Sequence, residues 1–279
     1  VTIDVMTAVS STATINGTLQ ASRVVSSSWT LVGGDLIVSA GGTLDYGNEA
    51  DPIPSSVKAY LVLALGATSG QYGLIVNNGG NFTVRGATKT PYSFATQSIT
   101  TSDTNLKVYG STSTAGWEVG DVITIGPTSG SGTATTSQRT ITSVTGGPLY
   151  TINWSGGSLP QARVLAATSP IIVANLTRNV LVRSSATVLT GGGSYLGSAY
   201  IRNLAQNTTS FTLTYGEFAY LGANSIGKVG ITFFGSPTRG IISSSTIRNG
   251  YVGIHLFFAS NNTLTGNNFY SNYYPGIFL

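Results

Sequence analysis

A chain of 279 residues with 41% hydrophobic and only 8% charged residues has material for a sizeable core and too little charge for a coiled coil or an acidic disordered chain. Glycine (36), serine (34) and threonine (39) dominate while helix-favouring residues are scarce, so an all-β protein with many tight turns is expected. The formal charge of +4 comes from singly placed Lys and Arg, the longest apolar stretch (Ala59 to Leu65) is too short for a bilayer, and Cys is absent, which excludes disulfides, iron–sulfur clusters and thiolate zinc; neither nucleic acid nor membrane insertion is expected.

Taken from the N-terminus, the first signal is a repeat. Leu36-Ile37-Val38-Ser39-Ala40-Gly41-Gly42-Thr43-Leu44 recurs, at a step of 38, as Leu74-Ile75-Val76-Asn77-Asn78-Gly79-Gly80-Asn81-Phe82, and Ile15 to Leu19 matches the end of the first copy at a step of 25. Each longer copy reads strand, glycine turn, strand, with the glycines supplying positive φ at a sharp corner. Just after the first copy, Asp45, Glu49 and Asp51 crowd together with Asn48. They can offer oxygen ligands to Ca²⁺, the one cofactor these residues suggest, but the spacing fits no EF-hand, and a solvated turn is the competing reading.

The middle of the chain is less regular. Trp117 to Asp121 reads as a turn feeding a strand at Val122 to Ile125, Thr128 to Thr136 as a loop, and Arg139 to Val144, Tyr150 to Trp154 and Ile171 to Ala174 as strands. Asn179 to Arg183 then begins regular coils. No composition break marks a flexible linker, so one elongated body is expected, with a glycine-rich β region over residues 1–175 and coils over 176–279.

In the last part Gly-Ile recurs at Gly230-Ile231, Gly253-Ile254 and Gly276-Ile277, a constant step of 23 that aligns Ile241 with Leu264, Thr246 with Phe269, Ile247 with Tyr270 and Asn249 with Asn272. A step of this size, rich in β-branched and aromatic side chains, suits one coil of a parallel β-helix: three short strands and three turns. Asn residues such as Asn261-Asn262 and Asn267-Asn268 suit the turns. The chain stops as another coil begins, which points to continuation in a longer protein or to docking of another subunit on the open coil, a self-assembly contact.

These elements bring a family into view. Leu74 to Tyr92 with Gly79-Gly80 and Val84-Arg85-Gly86, then Gly116-Trp117-Glu118-Val119-Gly120-Asp121, then Asn175-Leu176-Thr177-Arg178-Asn179-Val180 resemble, in that order, the glycine-rich G-eight domain of fibrocystin-like and cell-surface hyaluronan-degrading proteins. Gly216 to Gly222 and the coils from Gly230 onward resemble the right-handed parallel β-helix that follows it there. The resemblance implies an extracellular or cell-surface β-solenoid. The enzyme-like members share an Ile-His-Phe-His stretch where this chain has Ile231, Thr232, Phe233 and Phe234, and they carry Arg and Asp where the loop Gly66 to Gln71 has no charge. Only His255 stands where a family histidine is also common.

The acid–base inventory points the same way. Glycoside hydrolysis usually takes two carboxyl groups, and after Asp121 the only side-chain carboxylate is Glu217. Glu217, His255 and Asp121 are the catalytic candidates; against that role, Glu217 is read as paired with Arg202 or Arg248, lone His255 as a hydrogen-bonded solenoid residue, and Asp121 as accepting backbone N–H groups in its turn. Aromatics are crowded near the end: Tyr251, Phe257, Phe258, Phe269, Tyr270, Tyr273 and Tyr274. Tyr273 and Tyr274, consecutive and unable both to face inward from one strand, are candidates for stacking on sugar rings, and inward packing is the alternative. Sequons at Asn16, Asn81, Asn153, Asn175, Asn207 and Asn261 are candidate glycosylation sites, as in a glycoprotein. The expected function is a non-catalytic structural, adhesive or assembly module, open to glycan binding, and the alternative is a polysaccharide hydrolase or lyase acting on an acidic glycan.

Overall fold

The computed structural model describes residues 1–66, 70–109, 114–128, 137–187 and 198–279. Parts of two segments singled out above, the loop from Gly66 to Gln71 and that from Thr128 to Thr136, lie outside the described residues. The chain divides into two compact units, one made of residues 1–87 with 178–279 and the other of residues 88–177. Among the described residues no helix is long and apolar enough to cross a membrane.

The first unit is a right-handed parallel β-helix. Three parallel sheets of seven strands each are built so that each of seven coils gives one strand to every sheet. The third coil shows the pattern: Thr43–Tyr46 in the first sheet, Ala59–Leu65 in the second, Tyr72–Val76 in the third. The fourth coil begins with Asn81–Arg85 in the first sheet and resumes at Val180–Ser184 in the second, so residues 88–177 are inserted within a single coil. Asn81–Arg85 pairs with Phe211–Thr214, and Val180–Ser184 pairs with Ala59–Leu65. The organisation thus differs from one body with a division near residue 175. Residues 1–87 are already coils, and the inserted residues close around a core of their own; their composition, as rich in β-formers as the coils, leaves no mark at either junction.

Alternation with period two builds the interior. The inward row of the second sheet runs Ala8, Trp29, Leu61, Val182, Phe218, Ile247, Phe269, each in register with the next. That of the third sheet runs Ala13, Leu36, Leu74, Ile201, Ile231, Ile254, Ile277. Phe82 and Phe211 meet edge-on in the interior at 6.0 Å, and Phe211 meets Phe233 at 5.4 Å. The step of 38 holds as drawn, Leu36 to Leu74 and Leu44 to Phe82. The step of 23 holds in the third sheet but shortens to 22 in the other two, where Ile242 pairs with Leu264 and Ile247 with Phe269, one residue away from the alignment read off the sequence. Side-chain alternation forces this slip: the wrong register turns every inward residue outward. The turns absorb it, since 235–240 is one residue longer than 258–262 and 249–253 one shorter than 271–276.

Corners are made by single residues in the left-handed region. Tyr215, Ser244 and Gly266 turn the chain between the first and second sheets (φ 54°, 49° and 63°), and Tyr220, Asn249 and Ser271 turn it after the second (59°, 52° and 50°). Asn side chains clip these corners to the coil before: Asn267 accepts from Ser245 N at 3.0 Å and donates to Ile242 O at 2.7 Å, and Asn272 accepts from Gly250 N at 2.9 Å and donates to Ile247 O at 3.1 Å. The glycine pairs serve the remaining corner. Gly41 and Gly79 both have φ of 82°, and a Cβ on Gly42 would lie 2.0 Å from Ile15 O.

The second unit is a six-stranded antiparallel sheet in the order Tyr92–Phe94, Ile172–Asn175, Val122–Ile125, Ser137–Thr145, Leu149–Ser155, Asn105–Tyr109. An antiparallel bridge between Ala95 and Val108 joins its two edges, so the sheet closes into a small barrel. Its filling includes Leu106, Val108, Ile123, Ile125, Ile152 and Val173, with Trp117 and Trp154 at 6% and 5% exposure. Both indoles donate to backbone oxygens, Trp117 to Thr90 O at 2.8 Å and Trp154 to Gly157 O at 2.9 Å.

Candidate functional site

The outer face of the third sheet carries a strip of rings and cations. Alternation puts Ile254 and Leu256 inward and His255 and Phe257 outward on the strand Ile254–Phe257. The Arg202 guanidinium lies 5.4 Å from the Tyr200 ring and 5.1 Å from the Phe234 ring, and Phe234 stacks on Phe257 at 4.9 Å and 17°. His255 meets Phe257 at 5.4 Å and Phe278 at 5.0 Å. Burial, with the Asp35 charge adding to it, pushes the Tyr200 hydroxyl up to about 12.

Beside this strip lies a cleft of about 430 Å³. One wall is the loop carrying Asn224, Ser225, Ile226 and Val229; the other is Tyr251, Val252, Tyr274 and Pro275; His255, Phe257 and Phe278 form the floor. The loop is held by Ala223 N donating to Lys228 O at 3.1 Å, by Gln71 Nε2 donating to Lys228 O at 3.0 Å and by Arg202 Nε donating to Gly227 O at 3.2 Å. Across from it the Tyr251 ring touches Tyr273 at 5.9 Å and 16° and Tyr274 at 4.8 Å and 57°. Burial, then the neighbouring hydroxyls of Tyr274 and Tyr273, raises the Tyr251 pKa. Tyr273 and Tyr274 are 58% and 50% exposed, so neither packs inward.

His255 is 7% exposed, and its Nδ1 is buried with no hydrogen-bond partner among the described residues. Burial lowers its pKa below the ordinary 6.5, so the imidazole is neutral at pH 7. Among the described residues lining the cleft there is no Asp, Glu, Lys or Arg. The cleft therefore offers ring faces, apolar walls and neutral polar groups.

The other candidate residues are placed elsewhere. Glu217, on the strand Gly216–Ala219 of the second sheet, accepts from Arg248 at 2.6 and 2.7 Å, while Arg202 is occupied with Tyr200 and Phe234. Asp45 accepts from Arg23 Nη2 at 2.8 Å, from Gly47 N at 2.7 Å and from Asn48 Nδ2 at 3.0 Å; Asp51 meets the same Arg23 at 3.2 Å, and Glu49, 91% exposed, lies 4.0 Å from Arg85. The three carboxylates are thus spread over two arginines, and no group of three metal-ligating side chains forms among the described residues. Asp121 accepts from Glu118 N at 3.0 Å, the turn bond expected of it, and also from the buried Lys89. Of the sequons, Asn16, Asn207 and Asn261 are exposed, and Asn81 and Asn153 are half-buried. Asn175 is 0% exposed, so the folded chain gives no access to its amide; a spacing motif carries no information about burial, and the site is corrected accordingly.

The family model for the right-handed β-helix region matches residues 203–279, which include every residue named above as lining the cleft. No curated protein matches the chain. Among solved structures it is similar to the Gp54 tailspike of Acinetobacter baumannii bacteriophage AP22, solved in complex with A. baumannii capsular saccharide. That likeness has 10% identity and a TM-score of 0.27, and covers 90% of this chain and 41% of the tailspike chain.

Sequence reasoning singled out His255, Tyr273 and Tyr274 but missed the loop wall, and it did not join Tyr251 to them as a site. A usable signal was present: Phe234 and Phe257, Tyr251 and Tyr274, and His255 and Phe278 are each separated by the Gly-Ile step of the third sheet. Nothing in the sequence marks Asn224 to Val229 as folding over that face.

Proposed function

We propose that the chain is a non-catalytic, extracellular β-solenoid that binds a saccharide in the cleft between Tyr251, Tyr274 and the 224–229 loop. The observation that carries this reading is a cleft of aromatic faces around a neutral imidazole, with no charged side chain among the described residues of its lining. The apolar face of a sugar ring stacks on tyrosine or phenylalanine, while its hydroxyls bond the neutral polar groups at the rim. An uncharged lining favours a neutral sugar face over a carboxylate or sulfate. The same lining argues against hydrolysis, because among the described residues lining the cleft there is no carboxyl pair to flank a glycosidic oxygen. The structural or adhesive role, and kinship with G-eight proteins, belong to this reading and rest on the sequence resemblance.

The test is calorimetric titration of the intact chain with a panel of neutral and acidic polysaccharides, with chromatography of each mixture for shortened products. Binding that is lost in Tyr274→Ala, without new chain ends, supports the reading. Depolymerisation that is abolished by His255→Ala or Glu217→Gln would replace it with an enzyme.

A further inference from the structure

The inserted barrel holds a buried arrangement that the saccharide reading does not use. Lys89, Asp121 and Asn175 are 6%, 2% and 0% exposed. Lys89 lies just before the strand Tyr92–Phe94, Asp121 just before Val122–Ile125, and Asn175 ends Ile172–Asn175, three strands that neighbour one another in the sheet. Lys89 Nζ donates to Asp121 Oδ1 at 2.6 Å and Oδ2 at 2.8 Å, and Asn175 Nδ2 donates to the same Oδ2 at 2.7 Å. Two bonds of 2.8 and 2.7 Å to one oxygen keep the amine and the amide nitrogen within about 5.5 Å of each other. Asn175 Oδ1 meanwhile accepts from Thr177 N at 3.0 Å.

We propose that Lys89 and Asn175 become joined by an isopeptide bond, formed by the folded barrel without a helper. The parts for such a step are together. Asp121, 2.6 and 2.8 Å from Nζ, acts as the base that takes a proton from it, leaving a neutral amine beside a carboxylic acid. The free amine attacks Cγ of Asn175, and the charge that develops on Oδ1 falls on the Thr177 N–H already directed at it. Asp121 hands the proton to Nδ2 and takes the second proton from Nζ; the Cγ–Nδ2 bond breaks once the Nζ–Cγ bond has formed, and ammonia leaves with Asp121 left as the carboxylic acid. An amine and a carboxamide become a secondary amide and ammonia, with no change of oxidation state and no co-reactant. Glu118 Oε1, 3.3 Å from Nζ, is a second acceptor for the amine. The fold supplies proximity that a flexible chain lacks, since the two residues stand far apart in sequence.

The experiment is the intact mass of the purified full chain in denaturant, followed by tryptic mapping. The expected mass is about 17 Da below that of the sequence, the loss of one ammonia. The map should contain Gly86–Lys107, uncut after Lys89, joined to Val164–Arg178. Lys89→Arg and Asp121→Ala should each restore the full mass, and the former keeps the positive charge should the latter fail to fold. A wild-type chain at full sequence mass overturns the proposal. So does a deficit that persists in Lys89→Arg, which would mark a cyclised asparagine elsewhere, and so does a loss of about 18 Da, which would put the bond on a carboxylate.

Discussion

The Tyr273 ring stacks on Tyr251, one coil earlier, with centroids 5.9 Å apart and planes 16° from parallel. Tyr274 leans on the same ring at 4.8 Å, so Tyr251 is held from two sides while its own flank lines the cleft. A pre-positioned aromatic loses little freedom on binding a ring. Tyr274→Ala should weaken saccharide affinity about tenfold, ~1.4 kcal/mol, by titration calorimetry, and Tyr251→Ala by more. Tyr109→Ala, an exposed tyrosine of the barrel, should leave affinity unchanged.

His255 sets a pH dependence whose sign follows from its environment. Burial depresses its folded pKa below 6.5, so above that pH both folded and unfolded chains hold it neutral and it contributes nothing to the slope. Below about 6.5 the unfolded chain takes up a proton that the folded chain resists, and stability falls until the folded pKa is passed. The melting temperature of wild type should therefore drop more steeply below pH 6.5 than that of His255→Asn, with the two slopes parallel above it. Equal slopes throughout would show that the imidazole is solvated.

The Glu217–Arg248 pair can be tested by removing one partner at a time. Burial works against the Arg248 charge, and Glu217 together with Tyr220 more than offsets it, so the guanidinium pKa is held above its ordinary value. Arg248 also donates to Tyr220 Oη at 3.3 Å and to Asn249 Oδ1 at 2.9 Å, and its charge lies 5.3 Å from the Tyr220 ring. Arg248→Met leaves Glu217 buried without its cation and should cost about 3 kcal/mol in denaturant unfolding. The double variant with Glu217→Gln should recover part of that loss, because the uncompensated charge is then gone.

Phe211 is 0% exposed and touches both Phe82 and Phe233, one from the first sheet and one from the third. Phe211→Ala opens a void between coils that stack on both sides of it and should destabilise the β-helix by roughly 3–5 kcal/mol. Phe258→Ala, at a residue 79% exposed, should change stability by less than about 0.5 kcal/mol. Fluorescence-monitored urea unfolding would compare the two.

Legibility varied with what each residue depends on. Leu36–Val38 and Leu74–Val76 match in the sequence because coil neighbours share both an inward side chain and a glycine corner. The seventh-coil register could not: Ile241 and Ile242 are alike in the sequence, and only the inward position occupied by Ile242 decides which one meets Leu264. Tyr273 and Tyr274 were legible as a pair that cannot both be core. The loop wall of the cleft was not, because Asn224 to Val229 carries no periodicity that says where it folds.

By itself the sequence determined that this chain is all β, that its last part is built of coils paced by the Gly-Ile step with glycine and asparagine corners, and that it is poor in catalytic side chains. These depend on composition and local spacing, which survive without knowledge of distant contacts. The tertiary structure decided the rest: that residues 88–177 form a separate barrel inside one coil, that Arg248 rather than Arg202 neutralises Glu217, that Lys89 and Asn175 share Asp121, and that His255 sits under a ring-lined cleft. Each of these brings together residues far apart in the chain. Their proximity is set by strand register and barrel closure, and no local pattern encodes it.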